Sequence, residues 1–236
     1  MIESRGIVLN AVKYSDDKVI INVLTQAQGT VGFVLRRNKR TTPAVWQPLT
    51  VVNIIWHDGP GKALIKPHEL SVARPWRNIP YVPHKAAIAL FLGEFLGHVL
   101  RQEPRGDELV QWLEMSLAWL DEAESGYANF HIAMLFRLSR FLGFEPNVSD
   151  YTEGAFFDLR AAEFVTARPM HNDCLTEDEA AVLPRLMRLG YAGMRRVRLN
   201  SDARQRMLQV VIQYYRLHVP PFPDIKSLAV LHDVLH

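Results

Sequence analysis

The sequence contains almost no cysteine, and it lacks both a long apolar run and a secretory leader. Its single thiol is Cys174, which excludes an internal disulfide and a cysteine-rich zinc site and is typical of a reducing compartment. The longest apolar run, residues 86–92, ends before Glu94 and is too short to span a bilayer. Residues 1–5 do not have the basic-then-apolar order of a signal peptide. We therefore expect an intracellular protein without membrane contact.

Catalytic and metal-binding motifs are also missing. The nine histidines form neither His-x-x-x-His nor His-Glu-x-x-His. Gly59-Pro60-Gly61-Lys62 has part of a phosphate-loop pattern but lacks its first glycine spacing and the Ser or Thr after lysine, so a hairpin turn explains it better. Glu177-Asp178-Glu179 suits a helix start and is not an acid/base pair. We expect a protein that is not an enzyme and that needs no cofactor.

Short β-branched segments fill the first third of the chain. They predict strands at residues 5–12, 18–25, 30–35, 49–57, and 63–66 with 70–73. Asp58-Gly59-Pro60-Gly61 is a strong hairpin signal between the last two strands. Five short strands in about 70 residues match an OB-fold, a partly open Greek-key barrel that binds oligonucleotides. An SH3-like barrel fits the strand count nearly as well.

The hydrophobic period becomes helical beyond a stretch marked by Pro75, Pro80 and Pro83. Helices are predicted at residues 84–101, 107–124, 129–142, from Thr176 onward, at 201–217 and at 224–235. A strand pair is predicted at residues 155–159 and 163–167. The predicted fold is therefore segregated, strands first and helices second, with an OB-fold domain at 1–80 and a helical domain at 81–236.

Positive charge is concentrated in the predicted barrel. Residues 1–80 hold eleven Lys or Arg against five Asp or Glu, a net charge of +6, although the whole chain carries +2. Such a block is typical of a surface that binds a polyanion such as nucleic acid, and a solvated loop is the alternative. The candidate DNA-binding residues are cations at strand ends and on one loop: Lys13, Lys18, Arg36, Arg37, Lys39, Arg40, Lys62 and Lys66.

Two further groups of residues are candidates for contacts. The aromatic side chains of the barrel segment that could stack on bases are Phe33, Trp46 and Trp56, although barrel aromatics more often form the core. Residues 181–236 form a second basic block, with nine Lys or Arg against three acids. Its arginines suit either a second nucleic-acid contact or an acidic peptide, or they balance the acidic helices before them.

Several short motifs resemble the RecO family of bacterial recombination mediators. In the barrel they are Gly6-Ile7-Val8-Leu9, Tyr14-Ser15, Leu24-Thr25 with Gly29, the basic run and Gln47-Pro48-Leu49. In the helical part they are residues 87–96 and residues 136–146, which end in a Leu-Gly-x-x-Pro turn. The closing Tyr214-Tyr215-Arg216-Leu217-His218 and Lys226-Ser227-Leu228 resemble the Bacteroidetes branch. Each motif is weak alone, and their order and spacing make the match specific.

The resemblance implies a DNA-repair protein without enzymatic activity, working in the bacterial cytoplasm at the nucleoid. RecO-like proteins bind single- and double-stranded DNA and anneal complementary strands. They also dock the acidic, hydrophobic tail of single-stranded-DNA-binding protein (SSB), and with RecR they help RecA load onto coated strands. Tail docking needs an apolar pocket rimmed by cations. The candidates for this second DNA or tail contact are Arg137, Arg140, Arg188, Arg195, Arg196 and Arg198.

The chain departs from the family pattern at two places. Many relatives bind zinc through Cys-x-x-Cys-Gly and a later cysteine pair, whereas here residues 150–154 align with the first pair and Cys174 alone remains near the second. Carboxylates do not replace thiolates in structural zinc sites without histidine partners, so we predict no metal in the zinc-finger-like region 146–175. Apolar contacts of Phe156, Phe157 and Phe164 would hold it instead. The usual Lys-Gly after the third strand is Arg37-Asn38, and Asn tolerates a left-handed turn.

The residues by themselves leave three other functions open. One is a general RNA- or oligonucleotide-binding barrel protein. Another is a phosphotransfer or hydrolytic enzyme whose basic patch binds a substrate phosphate, against which the missing base, nucleophile and metal ligands count. The third is a protein–protein adaptor without nucleic-acid contact.

Overall fold

The computed structural model describes residues 1–36, 43–57, 64–104 and 106–235. It divides into two compact units. Unit 1 contains residues 1–122 and 223–234, and unit 2 consists essentially of residues 123–222. In the described part of the chain, no helix has the length and apolar character needed to cross a membrane.

Five antiparallel strands form the sheet of unit 1 in the order β3-β2-β1-β4-β5. They are β1 (Ile2–Lys13), β2 (Lys18–Thr25), β3 (Gly29–Arg36), β4 (Val51–Trp56) and β5 (Glu69–Arg74). The first half of β1 pairs with β4 and the second half with β2, with a bulge between Val8 and Asn10. Beyond the sheet, Phe33 bridges to Ile65 ahead of β5, so backbone hydrogen bonds link the two edges. The predicted β-rich N-terminal region is confirmed.

The core of this sheet follows the two-residue period of its strands. Alternate residues of β2, β3 and β4 point inward and are buried, whereas their neighbours face outward. Two of the aromatic candidates for base stacking lie in this core: Phe33 and Trp56 are fully buried, with ring centroids 5.4 Å apart. Trp46 is partly buried against the same cluster. Phe33 and Trp56 were therefore wrong as stacking candidates, since no base can reach them.

Helices follow the sheet, together with a second, smaller sheet. The helices are α1 (Pro83–Val99), α2 (Asp107–Glu122), α3 (Phe130–Leu138), α4 (Glu177–Ala180), α5 (Leu183–Arg188), α6 (Ser201–His218) and α7 (Ser227–Leu235), with 3₁₀ turns at Pro43–Trp46 and Tyr191–Arg196. The small strands are β6 (Phe156–Asp158), β7 (Glu163–Val165) and β8 (Cys174–Leu175), in the order β7-β6-β8. The strand-to-helix change falls between β5 and α1, near residue 80, whereas the compact units divide after residue 122 because α1 and α2 belong with the strands.

Some predicted helices are shorter in the structure. The capping box at Thr176 and Glu179 is present, but α4 stops after one turn because Pro184 lacks an N–H and begins the new helix α5. Helix α3 ends at Leu138, where the Ser139 hydroxyl donates to a helix carbonyl. The last helix begins at residue 227 rather than 224.

Close backbone contacts and one buried carboxylate join α1 and α2 to the strands of unit 1. Gly29 has φ +64°, and a Cβ there would lie 2.1 Å from the carbonyl oxygen of Glu103. The Asp121 carboxylate accepts hydrogen bonds at 2.8–2.9 Å from the backbone N–H groups of residues 77–79, which connect the strands to α1. Desolvation opposes ionisation of Asp121, but these N–H groups and Lys85 outweigh it and lower its pKa.

An aromatic cluster occupies the zinc-finger-like region of unit 2. Phe157 of β6 is fully buried, and Phe164 of β7 meets it edge-on at 4.9 Å. Tyr151 continues the cluster, 5.1 Å from Phe164. Cys174 is buried in β8, with Sγ 3.7 Å from the carbonyl oxygen of His171. Within the described residues, no three His, Cys, Asp or Glu side chains are arranged to hold a metal ion. The absence of zinc stays a prediction.

Candidate nucleic-acid interface

Two of the candidate DNA-binding cations lie side by side at one end of the N-terminal sheet. Lys18 of β2 is the direct antiparallel partner of Arg36 in β3. The adjacent residues Val19 and Leu35 are buried in the core, and successive strand residues point to opposite faces. Lys18 and Arg36 therefore share the outward face of the sheet, where Arg36 is exposed.

Lys13 and Lys66 extend this group. Lys13 is the last residue of β1 and is exposed, opposite Val19 in the register. Lys66 is exposed and directly follows Ile65, whose carbonyl oxygen accepts a hydrogen bond at 2.9 Å from the N–H of Val34 in β3. Four cations therefore lie at one end of the sheet. We name this group the basic end: Lys13, Lys18, Arg36 and Lys66.

Apolar side chains form a second outward-facing row beside the basic end. The register places Val12 opposite Ile20, and Ile20 opposite Val34, so the row crosses β1, β2 and β3. Val12 is 56% exposed, and the other two are half-buried. The basic end thus lies beside accessible apolar surface on the same face of the sheet.

Tyr14 continues the β1–β2 ladder by one residue beyond β1. Its backbone N–H donates to the carbonyl oxygen of Lys18 at 3.0 Å, so it stands opposite Lys18 at the sheet end. Its side chain is 62% exposed. Tyr14 was not among the stacking candidates that the sequence predicted, which were Phe33, Trp46 and Trp56. The available signal was an aromatic residue immediately before the Ser15-Asp16-Asp17 turn and beside Lys13.

The β1–β2 turn brings two carboxylates to the basic end. Asp16 lies 2.8 Å from Lys13 Nζ, and Asp17 lies 3.7 Å from Arg36 Nε. The Ser15 hydroxyl donates to Asp17 at 2.8 Å and is the largest cause of the lowered pKa of that carboxyl, with smaller contributions from Lys18 and Arg36. Both carboxylates are exposed, so they compete with phosphate for the cations without burying them.

The other four N-terminal candidates lie outside the described residues. They are Arg37, Lys39, Arg40 and Lys62. In the sequence, the first three directly follow Arg36, and Lys62 falls between β4 and β5. In OB-folds, the face of strands 2 and 3 and the loops between strands 1 and 2 and strands 4 and 5 bind oligonucleotides. The four cations of the basic end lie on or beside these strands and loops: Lys13, Lys18, Arg36 and Lys66.

Arg137, a candidate for the second contact, is engaged inside unit 2. Its Nη2 donates to the carbonyl oxygens of Leu186 and Leu189, at the C-terminal end of α5. Its guanidinium carbon lies 4.7 Å from the ring centroid of Tyr191. Arg137 therefore holds α5 and the following 3₁₀ turn in place, and it is not a free cation on the surface.

Other arginines of the second basic block also hold unit 2 together. Arg188 donates to the carbonyl oxygen of Val148. Arg204 is half-buried and donates to Oδ1 of Asn129 at 3.1 Å, and desolvation lowers its pKa. Arg206 forms an ion pair at 2.7 Å with a carboxylate of α4. Several arginines of this block are thus engaged by acceptors within their own unit.

Three candidates remain exposed together around the 3₁₀ turn. We name these three residues the arginine cluster: Arg195, Arg196 and Arg198. In the described part of the structure, their side chains form no hydrogen bond or ion pair. Arg185 supports this segment, because its Nη2 donates to the carbonyl oxygen of Arg196 at 2.9 Å. Arg140 is exposed elsewhere in the unit. The arginine cluster is therefore the accessible part of the second candidate surface.

A five-stranded sheet of OB-fold type that carries cations at one end and is followed by helices belongs to a fold class that many oligonucleotide-binding proteins use. Family comparison supports this assignment. Residues 1–76 match the model "Recombination protein O N terminal", and residues 81–229 match "Recombination protein O C terminal". The chain belongs to the RecO family of DNA repair proteins.

Whole-chain similarity gives the same result. The chain is 40% identical over 234 residues to the DNA repair protein RecO of Bacteroides fragilis, covering 97% of both chains. It is 39% identical over 233 residues to that of Phocaeicola vulgatus, with the same coverage. It is 32% identical over 240 residues to that of Flavobacterium psychrophilum, covering 99% of this chain and 98% of the relative. The resemblance seen in the sequence motifs, including its Bacteroidetes character, is confirmed.

Proposed function

We propose that this chain is a non-enzymatic recombination mediator that binds DNA and anneals complementary single strands. The observation that carries the proposal is the basic end, where Lys18 and Arg36 face outward beside an apolar row. Phosphate contacts of this kind give salt-dependent affinity without base readout. Family membership supports DNA as the polyanion.

Annealing also requires that the repulsion between two phosphate backbones be offset. One basic surface can hold one strand, and a second basic surface can lower the repulsion felt by the incoming strand by releasing counterions. The basic end and the arginine cluster are two such surfaces on one chain. Their presence supports annealing as the activity, and not binding alone.

Fluorescence annealing of two complementary oligonucleotides tests the proposal. At low salt we expect the protein to accelerate annealing of bare strands and of strands coated with SSB, and we expect the acceleration to fall as salt rises. A strand of RNA is included as competitor, because a general RNA-binding protein would prefer it. The proposal fails if the protein neither binds single-stranded DNA nor accelerates annealing at low salt.

We also propose that the chain docks the C-terminal tail of SSB and acts with RecR in loading RecA, in the bacterial cytoplasm at the nucleoid. The arginine cluster supports tail docking, since exposed arginines suit an acidic peptide. A fluorescent tail peptide should bind the wild type and bind more weakly when Arg195, Arg196 and Arg198 are replaced by Ala. Equal binding by both would move the tail site elsewhere. Metal analysis of the purified protein tests the predicted absence of zinc.

A further inference from the structure

We propose that Tyr14 is a stacking platform for a base of single-stranded DNA at the basic end. The inference rests on the proposed function and adds a base contact to what is otherwise a phosphate surface. It also predicts which form of DNA the basic end prefers, because a stacked duplex hides the faces of its bases and an open strand exposes them.

The hydrogen-bond ladder between β1 and β2 fixes the position of Tyr14. The hydrogen bond from its N–H to the Lys18 carbonyl oxygen places it opposite Lys18, which in turn lies opposite Arg36. Tyr14, Lys18 and Arg36 thus form one row across the ends of three neighbouring strands. Alternation of faces puts this row beside Val12, which is 56% exposed. A strand whose phosphates contact Lys18 and Arg36 brings its bases to Tyr14 and Val12.

The aromatic ring of Tyr14 is accessible to a ligand. The Tyr14 side chain is 62% exposed, and within the described residues it makes no ring contact or hydrogen bond that would explain an aromatic residue here. Its backbone is fixed, since the N–H groups of both Tyr14 and Ser15 donate to the carbonyl oxygen of Lys18. An accessible ring on a fixed backbone beside Lys18 can stack on a base, and because tyrosine has only two side-chain torsions, little conformational freedom is lost.

The test compares three oligonucleotide ligands: a base-containing single strand, an abasic strand of equal length, and a hairpin-capped duplex. Tyr14→Ala should bind the base-containing strand about 5- to 100-fold more weakly than wild type. It should bind the abasic strand and the duplex within about twofold of wild type, because no phosphate contact is lost. The salt slope should stay unchanged, since no charge is removed.

Two variants serve as controls. Tyr14→Phe keeps the ring and should bind the base-containing strand like wild type. Tyr81→Ala removes a tyrosine that is 80% exposed in the same unit, on the connection held by Asp121, and should leave binding unchanged. Melting curves of all variants test whether each substitution leaves the fold intact.

The outcomes separate the inference from the proposed function. If wild type binds single-stranded DNA and Tyr14→Ala binds it equally well, the stacking role is refuted while DNA binding stands. If Tyr14→Ala loses the same factor on the abasic strand, the residue acts through the backbone and not through bases, and the inference is again refuted. If wild type binds none of the three ligands, both proposals fall.

Discussion

The two basic regions of the chain look alike in sequence and differ in what their cations contact. At the basic end, Lys18 and Arg36 stand at strand ends on the outward face, and Lys13 and Arg36 meet exposed carboxylates of the β1–β2 turn. In unit 2, Arg137, Arg188 and Arg204 donate to backbone or side-chain acceptors of their own unit. The arginine cluster is what remains accessible there.

This difference shows that a charge count locates a basic block but not a binding surface. An arginine has five N–H donors, so it can fasten a helix end as readily as a phosphate. At the basic end, by contrast, Lys13 and Arg36 meet exposed carboxylates of the adjacent turn. The same number of positive charges can therefore build an interface in one region and an internal scaffold in the other.

The largest expected effect comes from replacing Arg36, Arg37, Lys39 and Arg40 together by Ala. Each phosphate contact contributes about 0.7 to the slope of log affinity against log salt on single strands, so the slope should fall by up to about 3. At 0.1 M salt, affinity for single-stranded DNA should drop on the order of 100-fold. Binding titrations at several salt concentrations measure this. An unchanged slope would move the main site away from the N-terminal sheet.

Arg137→Ala should destabilise unit 2 rather than weaken DNA contact. It removes charge-assisted hydrogen bonds to two carbonyl groups of α5 and the contact with Tyr191. We expect a loss of about 2–4 kcal/mol in the free energy of unfolding. Denaturant unfolding measures it, with the exposed Arg140→Ala as the control; its guanidinium carbon lies 5.4 Å from the ring centroid of Phe141, and its loss should change stability by less than about 1 kcal/mol. Equal effects of the two substitutions would contradict the internal role of Arg137.

Replacing Arg195, Arg196 and Arg198 by Ala should separate annealing from binding. These side chains are exposed and, within the described residues, form no hydrogen bond or ion pair, so stability should be kept. If they relieve repulsion between two strands, the annealing rate should fall about tenfold while affinity for one strand changes less than about threefold. Parallel annealing and binding assays test this. A loss of single-strand affinity as large as that of the N-terminal variant would make this cluster the primary site.

The smallest effect is expected for Asp17→Asn. The carboxylate lies 3.7 Å from Arg36 and competes with phosphate, so its removal should tighten DNA binding about two- to fivefold. The pKa of Asp17 lies below its ordinary value of 3.8, so it is charged at neutral pH. The advantage of the variant should therefore persist at neutral pH and vanish as acid protonates the wild-type carboxyl. Ser15→Ala, which keeps the charge, is the control and should bind like wild type.

The strands of unit 1 were predictable because their signals are local. Alternating β-branched residues predicted β2 and β3 within one residue of their observed ends. Helices α1, α2 and α6 followed from their apolar period for the same reason. The early end of α4 was not predicted, although Pro184 lies in the predicted segment. The capping box indicates where this helix begins and gives no information about where it ends.

The candidate site was predictable in composition but not in geometry. The sequence identified Lys18 and Arg36 as cations, yet their direct pairing depends on the strand register. The exposure of Tyr14 and the burial of Trp56 depend on which face of the sheet is covered, and neighbouring residues do not determine that. The internal role of Arg137 depends on carbonyl groups about fifty residues later in the chain. Tertiary contacts of this kind have no local signal.

We propose that the N-terminal sheet is the primary DNA-binding surface, and photo-crosslinking tests this proposal most directly. A single strand containing bromouracil is bound at low salt, irradiated and digested with the protein, and the crosslinked peptides are identified by mass spectrometry. We predict crosslinks in the peptides that contain Tyr14 and Arg36, with fewer in the peptide that contains the arginine cluster. Crosslinks confined to residues 185–206, with none in the N-terminal sheet, would contradict the proposal that this sheet is the primary DNA-binding surface.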